Sequence, residues 1–318
     1  MSSAGNDRAT ESQPAPLRAA PGTGKPQRPA ESLGPRGYVE RLTRSSGSNF
    51  FYAFFTLGRR RRDAIYAVYA FCHAVDEAVD EAPDPAAAAT AVSTWRDELT
   101  AALAGRSAGP VATRVAEVAH EFGLPQKFLH QVVDGVAMDV EPRRFESWPE
   151  LAVYCDLVAG AVGRLCVRIF GRDDSEADRY ASCLGNALQL TNILRDIGPD
   201  AAAGRFYLPQ ADLARFGIGE REVLAARGEA RAELLGFEAR RARGFFDQAR
   251  EIAAASGREL CAAEVMHAIY RRLLRRVERA AFPVHGEVVT VPRGEKAWLA
   301  AYTWMKTRLR PAAADRRE

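Results

Sequence analysis

The sequence predicts an all-α fold, a single helical bundle with a central cavity. From Tyr38 onward apolar residues recur at three- and four-residue spacing, and almost no stretch alternates as a strand would. The segments so marked are many and of middle length, which leaves room for a cavity between them. Residues 1–36, by contrast, are rich in Ala, Pro, Gly and Ser and nearly free of large apolar side chains. They read as a disordered tail, because they cannot offset the entropy of ordering.

The helical domain is expected over residues 37–310, with a flexible C-terminus over 311–318. Its helices read as 59–82, 85–104, 110–122, 126–140, 147–171, 174–199, 229–256, 258–281 and 294–309. The fifth is marked best. Ser147 and Glu150 make a capping box around Pro149, an apolar face follows, and Gly171 supplies the stop.

Composition narrows the function. A net charge of +3 on 318 residues is too small for a nucleic-acid footprint, so no nucleic-acid partner is expected. The basic runs at Arg59 to Arg62, Arg271 to Arg276 and near the C-terminus are most often solvated helix faces, and less often an anion or peripheral membrane contact. Five dispersed cysteines in apolar stretches read as buried thiols in a reducing compartment, and neither they nor the histidines are spaced as zinc ligands. No apolar run is long enough to span a bilayer and no secretory signal opens the chain, so the expected location is cytoplasmic.

Two segments carry the chemistry. Tyr69, His73, Asp76 and Asp80 stand at offsets 0, 4, 7 and 11, which puts them on one helical face. Gln189, Asn192, Asp196 and Asp200 stand at 0, 3, 7 and 11 on an otherwise apolar helix. Like charges four apart repel, so each aspartate pair needs a cation. Mg2+ suits it, with Mn2+ as the alternative, because such ions take oxygen ligands and sit between carboxylates and substrate phosphates. Arg195 and Arg205 lie close enough in sequence to take phosphate oxygens. A lone Asp-x-x-x-Asp is commonly a solvated face. Two of them in apolar sequence, one in phase with Gln and Asn, are not.

At these residues the chain resembles the squalene and phytoene synthase family. The likeness runs from Ser46 to Arg308 and rests on Tyr69 to Glu81, on Gln189-Leu-Thr-Asn-Ile-Leu-Arg-Asp196 with Gly204-Arg-Phe-Tyr-Leu-Pro209, and on Tyr154 to Gly163. Ser48-Asn-Phe50 resembles the family's N-terminal substrate-flanking segment. With Asp134-Gly135, Met138-Asp139 and Gly163 to Gly171, the likeness points within the family to bacterial presqualene diphosphate synthases of hopanoid and squalene biosynthesis.

The resemblance implies the isoprenoid synthase fold and allylic prenyl diphosphates as substrates. It implies Mg2+ on Asp76, Asp80, Asn192, Asp196 and Asp200, and a catalytic Tyr154. Substrate contacts are implied for Ser48, Phe50, Tyr69, His73, Gln189, Asn192, Arg195, Arg205 and Tyr270. His73 stands where relatives usually have Arg, and Glu77 where they usually have Asp. Neutral imidazole counters a diphosphate less well than guanidinium does.

The implied reaction joins two farnesyl diphosphates to presqualene diphosphate, with no nicotinamide needed for this first half-reaction. Phytoene or dehydrosqualene synthase is the alternative, and a non-catalytic scaffold member the second. Partner enzymes of the hopanoid or squalene pathway would follow. Phe50, Phe51, Phe54, Phe55 and Phe71, with Val158, Ala159 and Val162, are the expected apolar walls around an allylic cation. Gly160 and Gly163 within a helix mark a close approach, by a neighbouring helix or by a prenyl chain.

Overall fold

The computed structural model describes residues 50–225, 228–254 and 258–309, together with Gly37. The tail expected over 1–36, the C-terminus over 311–318 and Ser48 lie outside the described residues, as does the side chain of Phe50. All regular structure among the described residues is helical. In chain order the elements are α1 (Phe50–Phe54), α2 (Arg59–Asp80), α3 (Pro85–Leu103), α4 (Pro110–Phe122), α5 (Gln126–Ala137), α6 (Trp148–Cys155), a π turn (Asp156–Gly160) and α7 (Ala161–Ile169). There follow α8 (Ser175–Arg195), α9 (Ile197–Ala202), α10 (Gln210–Arg215), α11 (Glu220–Leu224), α12 (Glu229–Ala254), a 3-10 turn (Arg258–Leu260), α13 (Cys261–Arg279) and α14 (Arg293–Arg308).

Helix α8 is the axis of the bundle. Asp174 caps it by accepting the Ala177 N–H at 3.0 Å. Every residue from Leu184 to Arg195 is buried, as α6, α7, α9, α12, α13 and the π turn pack around it. A helix surrounded in this way is normally apolar on all sides. This one carries Asn186, Gln189, Thr191, Asn192 and Arg195 into the interior, so its polar stripe is not a solvated face.

Three helices differ from their expected form. The segment read as one helix over 147–171 is interrupted by the π turn, and Gly171 ends it with φ 99°. Its capping box does not close: the Ser147 side chain makes no cap bond, and Glu150 instead accepts the Glu146 N–H at 2.8 Å. The helix read as 174–199 stops at Arg195 and restarts at Ile197. Pro199 has no N–H to give the Arg195 carbonyl, and it disfavours helical geometry at Gly198. A Cβ on Gly198 would lie 1.8 Å from the Val284 carbonyl oxygen, so only glycine fits there. The 258–281 segment opens as a 3-10 turn. Helices α1, α10 and α11 lie in stretches whose periodicity was too short to read. The five thiols are free, but only Cys72 and Cys155 are fully buried.

Of the two occupants considered for the glycine approach, the neighbouring helix is present. A Cβ on Gly163 would meet Ala181 of α8 at 3.1 Å, and one on Gly185 would stand 2.8 Å from the Gly160 nitrogen. Backbone therefore touches backbone where α8 crosses the π turn. We expect Gly185→Ala to destabilise the fold by about 1–3 kcal/mol, because backbone cannot swing aside. Gly244→Ala, in the exposed interior of α12 with open space around it, should stabilise by about 0.5–1 kcal/mol. Thermal midpoints of the two variants moving in the same direction would refute the close-crossing account.

Candidate active site

Two chambers meet at this crossing. The first is small and partly polar, lined by Asp76 of α2, Val132 and Val136 of α5, Asp139, Tyr154 and Gln189, with Val158 of the π turn. The second is apolar, about 70 Å3, and its walls include Phe54, Val162, Phe170, Leu184, Leu188 and Met266. Adjacent residues divide between them. Val158 faces the polar chamber and Ala159 the apolar one, and Gln189 and Leu188 divide likewise. Among the expected aromatic walls, Phe54 takes its place. Phe55 does not, being 61% exposed, and Phe71 packs in the core against Trp95 with ring centroids 5.9 Å apart.

Tyr154 is 1% exposed, and its hydroxyl donates to Asp139 Oδ2 at 2.9 Å. The Tyr207 hydroxyl donates to Asp139 Oδ1 at 2.7 Å. The two phenol rings stack with centroids 5.3 Å apart, and Phe145 lies against both. Asp139 is thus clasped by two phenols, and Tyr154 is aimed by a carboxylate rather than by a backbone carbonyl. Such a carboxylate can receive the phenol proton. Asp139 was quoted above for resemblance alone. Its contacts reach over 15 and 68 residues of sequence, a separation that spacing rules do not register.

The carboxylate segments face each other. Asp76 is buried at the polar chamber, whereas Glu77 is exposed. Asp80, at the end of α2, forms an ion pair with Arg205, which stands in the loop after α9. Tyr69 and His73 neighbour each other on α2, with ring centroids 6.2 Å apart. On α8, the Asn192 amide nitrogen is 3.4 Å from Gln189 Oε1, and Asn192 Oδ1 is buried without a hydrogen-bond partner among the described residues. Asp196 follows at the helix break. The Asp196 N–H donates to the Asn192 carbonyl and the Asp200 N–H to the Asp196 carbonyl, both at 2.8 Å, so the stripe continues across the interruption.

Arg195 turns inward onto Asp196, with Nε 2.7 Å from Oδ1 and a second contact from Nη2. Burial opposes its charge, but Asp196, helped by Tyr270 and Asp200, overrides burial and raises the guanidinium pKa above its ordinary value. Tyr270, fully buried on α13, therefore sits within electrostatic reach of Arg195. Lys296 joins this group from α14. Burial, followed by the charges of Arg195 and Arg293, pushes its ammonium below the ordinary lysine value. Lys296 escaped the sequence reading. The signal available was its register with Thr303 and Thr307, which makes one polar face seven and eleven residues long.

The donor set fits Mg2+. It consists of carboxylates and amides, all hard oxygen donors, and Asn192 Oδ1 is a buried acceptor in need of a partner. Among the described residues no three acidic, histidine or cysteine groups converge closely enough to cage a metal by themselves.

A bundle of this form, with opposed aspartate helices and an apolar chamber beside them, defines a class of prenyl-transferring enzymes, and comparison with known proteins agrees. The chain belongs to the squalene/phytoene synthase family, whose sequence model matches residues 43–295. It is a prenyl transferase with the isoprenoid synthase fold. It is 33% identical over 268 residues to phytoene synthase of Mycobacterium bovis, covering 83% of this chain and 88% of that one. It is 40% identical over 173 residues to presqualene diphosphate synthase of Rhodopseudomonas palustris, covering 54% of this chain and 62% of that one. Its structure matches squalene synthase HpnC from Alicyclobacillus acidocaldarius with a TM-score of 0.73 and 29% identity, over 79% of this chain and 95% of that one.

A buried lysine beside two arginines is costly unless an anion visits. We therefore expect Lys296→Met to raise the thermal midpoint while lowering kcat/KM by about tenfold or more, the loss of one desolvated charge contact to substrate. A midpoint that falls, or an unchanged kcat/KM, would show that Lys296 serves packing instead.

Proposed function

We propose that this protein condenses two molecules of farnesyl diphosphate head to head into presqualene diphosphate. The observation that carries the reading is the meeting of the two chambers at the π turn. A small, partly polar space with Asp76, Asp139, Tyr154 and Gln189 in its wall lies beside an apolar space for a hydrocarbon tail, a pairing that suits an amphiphilic diphosphate.

Asp76 and Asp80 on one side, and Asn192, Asp196 and Asp200 on the other, would hold Mg2+, which when bound neutralises charge on the departing diphosphate. Arg205 and Lys296 bring positive charge to the same end, and Arg195 fixes the orientation of Asp196. Gln189 and Asn192 offer amides to phosphate oxygens, with Tyr69, His73 and Tyr270 around them. Ser48 and Phe50 stay assigned to the substrate-flanking segment by resemblance alone.

The C–O bond of one farnesyl diphosphate breaks heterolytically, giving an allylic cation and diphosphate. The cation is sheltered from water by the apolar walls. The alkene of the second molecule attacks, and loss of one proton closes the cyclopropane ring, leaving that molecule's diphosphate in place. Tyr154 takes the proton as its own O–H proton passes to Asp139, across the 2.9 Å hydrogen bond. No nicotinamide enters this balance. The cyclopropyl product would pass to partner enzymes that rearrange it.

One observation favours a second reading, phytoene synthesis from the C20 substrate: the phytoene synthase of Mycobacterium bovis matches a longer stretch of the chain than the presqualene enzyme does. Purified protein given Mg2+ and radiolabelled farnesyl diphosphate without nicotinamide should accumulate presqualene diphosphate. Product only from geranylgeranyl diphosphate, identified as phytoene, would transfer the assignment to the second reading, and no product from either would sink both. Asp196→Asn should abolish turnover with helical circular dichroism intact; near-normal rates would remove that residue from the metal site.

A further inference from the structure

Helix α14 buries polar residues and exposes large apolar ones, although Leu299 and Ala300 also pack against the core. Its buried residues are Lys296, Thr303 and Thr307, and the Thr307 hydroxyl is satisfied by the Thr303 carbonyl at 2.8 Å with Glu264 of α13 at 3.4 Å. Its outer face carries Trp298 (62% exposed), Tyr302 (47%), Met305 (52%) and, just past its end, Leu309 (80%). Those four stand at offsets 0, 4, 7 and 11, a single stripe. At about 100° per residue, Lys306 and Arg308 fall about 80° to either side of it, and both are exposed. Trp298 and Tyr302 stack, with ring centroids 5.3 Å apart and an interplanar angle of 8°. A contiguous apolar stripe in water marks a surface that something covers.

We propose that α14 is an interfacial helix that seats this enzyme on an anionic lipid surface. Two observations favour lipid. The stripe is led by Trp and Tyr and bordered on both sides by long cationic side chains, the composition of a helix lying at headgroup level with its cations snorkelling outward. From Lys306 to the end of the chain the sequence adds Arg308, Arg310, Arg316 and Arg317 against Asp315 and Glu318, a net +3 (five basic less two acidic), and such clusters are drawn to anionic headgroups.

A second copy fits less well. An isologous contact through this face would oppose Lys306 and Arg308 to the same charges. The stripe also offers only on the order of 500 Å2, against about 800 Å2 per partner in a stable interface. No helix among the described residues is long and apolar enough to cross a membrane, so the association is with the surface plane. Its placement serves the interior. Helix α14 packs on α1 and α13, and these two supply Ala53, Phe54, Ala262, Ala263 and Met266 to the apolar chamber. Docking would bring that chamber beside the acyl chains.

The test is pelleting of the full chain with vesicles of phosphatidylcholine, alone or with one-third phosphatidylglycerol. Wild type should pellet with the mixed vesicles and show a blue shift in tryptophan emission. Trp298→Ser with Tyr302→Ser should weaken vesicle binding about tenfold or more, as should Lys306→Glu with Arg308→Glu. Both variants change exposed residues and should keep the circular dichroism and thermal midpoint of wild type. Wild type left in the supernatant, or variants that pellet as wild type does, would overturn the proposal. So would a lipid-free dimer that the Trp298/Tyr302 variant converts to monomer, since the stripe would then cover a second copy.

Discussion

The structure depends on keeping one carboxylate, Asp76, and the amide and guanidinium groups of α8 buried within an apolar helical bundle. Asp76 of α2 and Gln189, Asn192 and Arg195 of α8 are buried, and Asp76 and Gln189 line one chamber, while Asp80 is exposed and Asp196 and Asp200 are partly buried. Burying charge in this way is strongly unfavourable unless each group has a cation or a full set of hydrogen bonds. Two arginines pair with the more open aspartates of the same site. Arg195 neutralises Asp196 from within the same helix, and Arg205 bridges to Asp80 from 125 residues away. The second pair, open to solvent, spans the two halves of the site. On the proposed reading, Asp80 would help to hold Mg2+ and Arg205 would offer its charge to a phosphate oxygen.

The bundle also has to bring head and tail sites together without a wide opening. It does so by thinning the wall at one point. Gly160 and Gly185 let the π turn and α8 touch through backbone. Consecutive side chains, Val158 and Ala159 on the π turn and Leu188 and Gln189 on α8, then point into different chambers. Tyr154 stands one turn earlier, fixed by Asp139 and stacked on Tyr207. A phenol held on three sides loses little further freedom when substrate arrives, which is what a positioned proton acceptor needs.

Much of this was legible in the sequence, and the reasons differ by feature. The long helices announce themselves by three- and four-residue periodicity, and the aspartate and amide residues share a face because helical geometry is regular. Regularity fails at Asp196, where the Gly198-Pro199 dipeptide should have been read as a boundary, and at Asp156–Gly160, where a π turn leaves no mark in a periodic pattern. Short helices such as α10 span too few turns to show a period. The clasp on Asp139 and the approach of Lys296 to Arg195 are contacts between distant segments, and local propensity carries no information about them. Phe55 and Phe71 were misplaced for a related reason: their composition suits a pocket wall, but only the packing decides which of the phenylalanines near α1 faces inward.

Helix α14 joins these themes. A helix ordinarily holds to its domain by its apolar face. This one buries Lys296, Thr303 and Thr307, with Leu299 and Ala300 packed against the core and Glu295 paired to Arg272 and Arg276, while Trp298, Tyr302 and Met305 turn out. Neither half of that choice favours stability: the lysine gives up solvation, and the aromatics gain no burial. Both halves become intelligible if the enzyme works on amphiphiles. The inner face then adds a cation near Arg195, where the charged head must go. The outer face rests on the phase in which long isoprenoid chains are soluble, with α1 and α13 forming the wall between that phase and the tail chamber. A single helix would thus hold both ends of the substrate's physical chemistry in register.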